Sequence, residues 1–163
     1  MKRLLLLRHA KSSWAEPGLA DFDRPLNERG LRAAPLVGRF LRRRKIRPDL
    51  VLSSPAERAR RTAALVSEAA VLDAPTRYDE RIYEATPEAL VEVVSQVEEG
   101  ADEVLLVGHN PGMEELIILL AGERRPMPTA ALARVELEVE KWSKVRAGSG
   151  RLELHVTPRE LED

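Results

Sequence analysis

Leu4-Leu5-Leu6-Leu7-Arg8-His9-Ala10 is an apolar run that stops abruptly at an arginine and a histidine. Four leucines are too few to span a membrane and suit a central strand buried on both faces. Strands of open α/β sheets present functional groups at their carboxyl ends. Arg8 and His9 are therefore expected at the rim of a sheet, within reach of a substrate. A neutral imidazole can act as a nucleophile, and a neighbouring guanidinium suits phosphate because it donates paired hydrogen bonds at fixed charge. Taken alone, the pair fits a satisfied structural histidine better than a catalytic one.

A second stretch repeats the pattern. Glu103-Val104-Leu105-Leu106-Val107 is strongly apolar and stops at Gly108-His109-Asn110-Pro111-Gly112. If both strands run parallel, His9 and His109 leave the sheet at the same edge. Between them, Asp49 to Leu52 reads as a short strand and Ser53-Ser54-Pro55 as the opening of a helix, with Ser54 as N-cap and Pro55 in the first turn. That start puts Arg58 in the first turn of the helix, where free backbone N–H groups favour phosphate. Two histidines and two arginines can thus converge on one pocket. The set suits phosphoryl transfer to histidine, in which one imidazole attacks while cationic donors hold the phosphoryl oxygens.

The remaining elements alternate. Asn27 is expected to cap a helix from Glu28 to Arg44, with Pro35 inside it signalling a kink or a late start. Thr62, Leu65, Val66 and Ala69 supply the buried face of the next helix, and a strand follows near Arg77 and Tyr78. Thr86 caps a helix from Pro87 to Glu98, and another helix runs from Met113 to Leu120. Ala133 to Glu140 and Leu152 to Val156 alternate apolar and charged residues, which predicts an antiparallel pair around the turn-prone Ala147 to Gly150. Strands alternating with helices predict a three-layer α/β/α sandwich on a mostly parallel central sheet, as a single domain over 1–163. Lys11 to Pro25 is a long aperiodic connection, the kind that often carries function.

Composition removes several alternatives. The chain has 26 basic and 27 acidic residues, a net charge of −1, so nothing draws it as a whole to nucleic acid. The basic run Arg42 to Lys45 and the acidic end Glu160 to Asp163 read as solvated surface. With no cysteine, disulfides and thiolate metal sites are excluded, and the histidines have no zinc-like spacing. Arg8, His9 and Lys11 interrupt the apolar N-terminus too early for a signal peptide, and no other stretch approaches membrane length. A cytoplasmic protein without membrane or nucleic-acid partners is expected.

Together, "LLLLRHAKSSW", "DFDRPLNERG", "SSPAERARRTA" and "LLVGHNPGM" resemble the histidine phosphatase superfamily, of phosphoglycerate-mutase-like fold, and more narrowly its small SixA-type phosphohistidine phosphatases. The resemblance implies a phosphatase that needs no metal or cofactor and forms a phosphohistidine on His9. Arg8 and Arg58 would clamp the phosphoryl group, and His109 would donate a hydrogen bond to it. Lys11 and Ser12 occupy positions where related enzymes contact phosphate or leaving group; a solvated lysine is the other reading of Lys11. The Asp21 to Gly30 stretch resembles a loop that flanks the pocket, without a chemical step assigned to it. "DERIYEA" resembles the segment that bears the general acid in the mutases, which favours Glu80 over Asp79 and Glu84; a surface carboxylate is the alternative. Thr129 resembles a loop residue that could line the site, Trp14 either lips the pocket or packs its loop, and His155 and Trp142 read as structural.

One helix fills the stretch between Glu84 and Val104, where larger members of the family that the chain resembles insert lid segments. A shallow mouth suits phosphohistidine on a protein, such as a phosphotransfer domain, or a small phosphate ester, with inorganic phosphate as product. A mutase fits less well, because holding a phosphorylated intermediate away from water needs a closed site. The rivals are a non-catalytic module that reads phosphorylated partners, and a nucleic-acid binder using Arg42 to Lys45.

Overall fold

A computed structural model describes residues 1–162, so Asp163 of the acidic end lies outside the described residues. The sheet is built from β1 (Lys2–Arg8), β2 (Leu50–Ser53), β3 (Thr76–Tyr78), β4 (Glu103–Gly108), β5 (Leu132–Leu137) and β6 (Gly150–Val156), in the order β3-β2-β4-β1-β5-β6. The first four strands are mutually parallel; β5 pairs antiparallel with both β1 and β6. The two apolar runs lie side by side at the centre, and Leu4 to Leu7 and Val104 to Val107 are each 0 % exposed.

Strand alternation divides these side chains between two cores. Leu4, Leu6, Val104 and Leu106 face α3 (Pro87–Ser95), α4 (Gly112–Ala121) and Trp142. Leu5, Leu7, Leu105 and Val107 face α1 (Glu28–Arg43) and α2 (Glu57–Ala70), with Leu161 of the short α5 (Pro158–Leu161) packed against the same core. This is the expected three-layer α/β/α sandwich on a mostly parallel sheet. Among the described residues no helix is long and apolar enough to cross a membrane.

Local chemistry explains most boundaries. The Asn27 side chain accepts from Gly30 N at 2.9 Å and starts α1, and Thr86 accepts from Ala89 N at 3.2 Å and starts α3. Pro35 neither delays α1 nor ends it. The buried positions Ala34, Val37, Gly38 and Leu41 flank it, and their packing outweighs the one backbone hydrogen bond that proline removes. α3 stops at Ser95 rather than Glu98, because the last turn tightens: Gln96 N and Val97 N donate to carbonyls three residues back. Glu98 instead receives both terminal nitrogens of Arg77, at 2.5 and 2.7 Å.

Two expectations change. α2 begins at Glu57 after Ala56, not at Ser54 and Pro55, and Ala56 gives no side-chain cap. Ser54 Oγ accepts from Ala56 N at 3.2 Å and also meets His109, so the hydroxyl lies in the turn ahead of the helix. The expected antiparallel pair is present, but residues 138–149 connect β5 to β6 through a 3-10 turn at Trp142–Lys144, not a tight hairpin. The reason is Trp142, which is fully buried and donates its indole N–H to Ala101 O at 2.6 Å, pulling the connection back over the sheet.

Candidate active site

Register fixes where the site stands. Arg8 pairs with Gly108 at the ends of the two central strands, and Ser53 pairs with Val107 one strand further on. His9, His109 and Ser54 therefore leave the sheet at one edge and at one level. The rings of His9 and His109 lie 5.1 Å apart, centre to centre, and both side chains are buried. Sequence reasoning required this meeting and could only infer it from parallel strands.

His9 is held in one orientation. Its Nδ1 lies 2.7 Å from the Ala10 carbonyl oxygen, which can only accept, so Nδ1 carries the proton and Nε2 keeps its lone pair. Ala10 N donates to Thr62 Oγ1 at 2.9 Å, and that hydroxyl donates to Arg58 O at 2.7 Å, which ties the backbone after His9 to α2. Arg58 Nε points at His9 Nε2 from 3.4 Å. Burial pushes the His9 pKa down to about 3, with the nearby His109, Arg58 and Arg8 adding to the effect against the Ala10 hydrogen bond. Burial likewise lowers His109 to about 4, helped by the Arg58 charge. His109 Nε2 shares a hydrogen bond with Ser54 Oγ at 2.8 Å, and its Nδ1 is buried without a partner.

The arginines are braced from behind. Arg8 Nη1 donates to Met127 O at 3.1 Å, an oxygen that also receives Asn110 Nδ2 at 2.9 Å. Glu114 accepts from that same Asn110 amide and from Met127 N, closing the support. Arg58 Nη1 and Nη2 donate to the backbone oxygen and carboxylate of Asp21, at 2.7 and 3.0 Å. Tyr83 OH donates to the same carboxylate at 2.6 Å, and Arg24 Nε donates to its other oxygen at 3.2 Å. The Tyr83 bond, then Arg58 and Arg24, hold the Asp21 pKa down to about 2, and Asp21 in turn raises Tyr83 to about 12. Arg24 also donates to Ser12 Oγ at 2.8 Å and lies over the Trp14 ring at 3.5 Å.

An oriented imidazole with an unprotonated Nε2 facing Arg58, set among two arginines and a second histidine, is a place for a tetrahedral oxyanion. The profile of the histidine phosphatase superfamily (branch 1) matches residues 4–90. An uncharacterised Mycobacterium tuberculosis protein, Rv1276c, is 38 % identical over 94 % of this chain and 100 % of its own. The chain belongs to the histidine phosphatase superfamily. The solved structure of a proposed SixA phosphohistidine phosphatase from Agrobacterium tumefaciens superposes with a TM-score of 0.81 at 34 % identity, covering 96 % of this chain and 99 % of that one. The protein histidine phosphatase SixA, solved with tungstate, superposes at 0.83 with 25 % identity, covering 98 % and 99 %. The fold is thus the phosphoglycerate-mutase-like one expected from the four motifs.

On this histidine phosphatase scaffold a cavity of about 240 Å³ brings together Arg8, His9, Lys11, Ser12, Arg58 and His109, with Thr129 and Trp14 at its edge. Lys11 and Trp14 are exposed, the tryptophan 76 % so, and Trp14 both lips the pocket and packs on Arg24. A second cavity, about 550 Å³, opens on the other side of Arg58 and His109 and is lined by Tyr83 and Glu84. Glu80 is exposed on the 3-10 turn ahead of Tyr83 and lines neither cavity; Asp79 is paired with Arg81 at 2.7 Å. Of the three acid candidates, only Glu84 lines either cavity, and it lines the second one, which does not reach His9. His155 lies apart and meets Pro126 O at 2.7 Å. Among the described residues no cluster of three or more His, Asp or Glu could hold a metal ion.

Sequence reasoning missed Asp21, Arg24 and Tyr83. The Asp21 to Gly30 loop stood out as a motif, but its Arg58 and Tyr83 partners lie 37 and 62 residues away along the chain, and no local spacing signals such contacts.

Proposed function

We propose that the chain, acting as one domain over 1–163, is a phosphatase that removes phosphate from histidine on a protein through a phosphohistidine on His9. The observation that carries this reading is the Nδ1 hydrogen bond to Ala10 O, which leaves Nε2 unprotonated, its lone pair turned to Arg58 Nε at 3.4 Å in the pocket shared with Arg8 and His109. With its pKa near 3, His9 is neutral at ordinary pH and so available as a nucleophile.

In the first step the Nε2 lone pair forms a bond to phosphorus as the bond to the substrate nitrogen breaks. The departing imidazole keeps that electron pair and takes a proton from water. Arg8, Arg58 and the His109 ring stabilise the oxygens as charge redistributes, with Lys11 and Ser12 at the rim on the leaving-group side. In the second step water attacks phosphorus, the N–P bond breaks, its electrons return to Nε2, and the water proton leaves with inorganic phosphate. Imidazole departs more readily than an alkoxide, so this route needs no dedicated acid. Asp21 cannot serve as one, because it stays ionised well below neutral pH. Tungstate, held by the solved SixA, is a tetrahedral oxyanion like phosphate and supports the same assignment.

The test is phosphate release, in EDTA, from a histidine-phosphorylated protein and from an aryl phosphate, by wild type and His9→Ala. Release by wild type and none by the variant is expected, with the protein the better substrate. Preference for the aryl phosphate would make the chain a small-molecule phosphatase. Tight phosphate binding without any release would make it a phosphate-reading module.

A further inference from the structure

A groove of about 570 Å³ runs between α1 and α5 and joins the His9 pocket, with Lys11 and Thr129 lining both. Its apolar part is made by the half-buried Ala33, Leu36 and Pro158. Around it stand four exposed cations: Lys11, Arg29, Arg32 and Arg159. Among the described residues none of the four takes part in an ion pair. Among the described residues the one carboxylate lining the groove is Glu162, since Glu160 is turned back onto Thr157 N and Oγ1 at 3.1 and 3.0 Å. Helical spacing puts Arg29, Arg32, Ala33 and Leu36 on one face of α1. Leu161 packs on the core and fixes α5 opposite that face.

We propose that this groove docks an acidic segment of the phosphoprotein substrate, next to the phosphohistidine itself. The inference rests on the functional reading above and adds the substrate's chemistry: carboxylates beside an apolar residue. The molecule carries a net charge of −1, yet among the described residues this groove is lined by four cations and one anion, so the positive field is local to the approach to His9. Exposed cations on long stems hold a small ligand weakly, because each pair is screened and costs side-chain entropy. Spread around an apolar centre, they match the rim-and-core pattern of a protein interface. Among the described residues no aromatic ring lines the groove, so it offers no stacking platform for single-stranded nucleic acid.

The test uses Arg29→Glu/Arg32→Glu/Arg159→Glu, three positions outside the catalytic pocket. Aryl phosphate turnover should stay at the wild-type level, which also shows that the variant folds. Turnover of a strongly acidic, histidine-phosphorylated phosphotransfer domain should fall at least tenfold in kcat/KM. Wild-type turnover of that domain should also weaken steeply between 50 and 500 mM salt, and the variant's should not. In parallel, binding of the same phosphorylated domain is measured on His9→Ala with the groove intact or reversed. Groove-dependent binding without phosphate release by wild type would sink the functional reading and keep the docking site. Binding or turnover indifferent to the reversal would overturn the docking site, as would an oligonucleotide that occupies the groove more tightly than the acidic domain.

Discussion

The Nε2 lone pair of His9 and the fork of Arg58 are set by two different hydrogen-bond systems, and each can be tested by itself. If Ala10 O fixes the ring, nitrogen NMR should show His9 as the Nδ1–H tautomer, still neutral at pH 5 and protonating only near pH 3. A titration at the ordinary histidine value would contradict the burial that places it there. Asp21 acts on Arg58 and is a positioning residue. Asp21→Asn should lower kcat/KM on aryl phosphate about tenfold as the guanidinium loses its brace. The same change should bring Tyr83 down from about 12 toward 10, read by absorbance titration in a Tyr78→Phe background that leaves one tyrosine. An unmoved Tyr83 would mean that the Asp21 contact does not persist in solution.

At the level of elements, the site depends on how closely α1 and α2 approach and on how α2 holds the end of β1. Gly38 of α1 stands against α2, where an added Cβ would fall 2.6 Å from both Val66 O and the Ala69 Cβ. Helix propensity alone would make Gly38→Ala stabilising by about 1 kcal/mol. Overpacking costs about 1–3 kcal/mol and here meets a backbone oxygen that cannot step aside, so the net effect should be a loss, seen as a lower urea midpoint. Thr62→Val keeps the shape of a side chain that joins α2 to the strand end. It leaves the buried Ala10 N–H without its acceptor, at a cost of about 1–3 kcal/mol. Because Ala10 O also orients His9, activity should fall further than the loss of folded protein explains. A variant with wild-type kcat would show that Thr62 only supports the fold.

For the whole molecule, two buried histidines side by side set a pH dependence of stability. Both have folded values below the ordinary 6.5, at about 3 and about 4. The unfolded chain therefore binds protons that the folded chain refuses, and stability is fully present above pH 6.5 and lost as pH falls. Each histidine should remove about 2 kcal/mol by pH 5, at about 1.4 kcal/mol per pH unit. Urea melts at pH 7 and pH 5 should show the difference, and His9→Ala/His109→Ala should flatten it. An unchanged slope in the double variant would assign acid sensitivity to other groups. The sheet can carry this cost because β1 and β4 are buried on both faces along their whole apolar length.

The chain's own pattern determined the architecture. Two short runs of aliphatics, each stopping at a histidine, read as central strands, and parallel pairing brings their ends to one edge. Arg8, His9, Arg58 and His109 were legible for that reason, since each ends or follows a strand or opens a helix. Tertiary structure alone decided what surrounds them. Ser54 reads as a helix cap, yet its hydroxyl serves His109; Thr62 reads as core, yet it anchors Ala10. Asp21, Arg24 and Tyr83 sit in the connections between the main helices and strands, with no period to betray them, and Glu84 rather than Glu80 lines the second cavity because the chain turns between them. Periodicity reports which face of an element is buried, and that is a property of near neighbours. Which loop folds over which pocket depends on contacts between distant residues, whose chemistry is visible only when they meet.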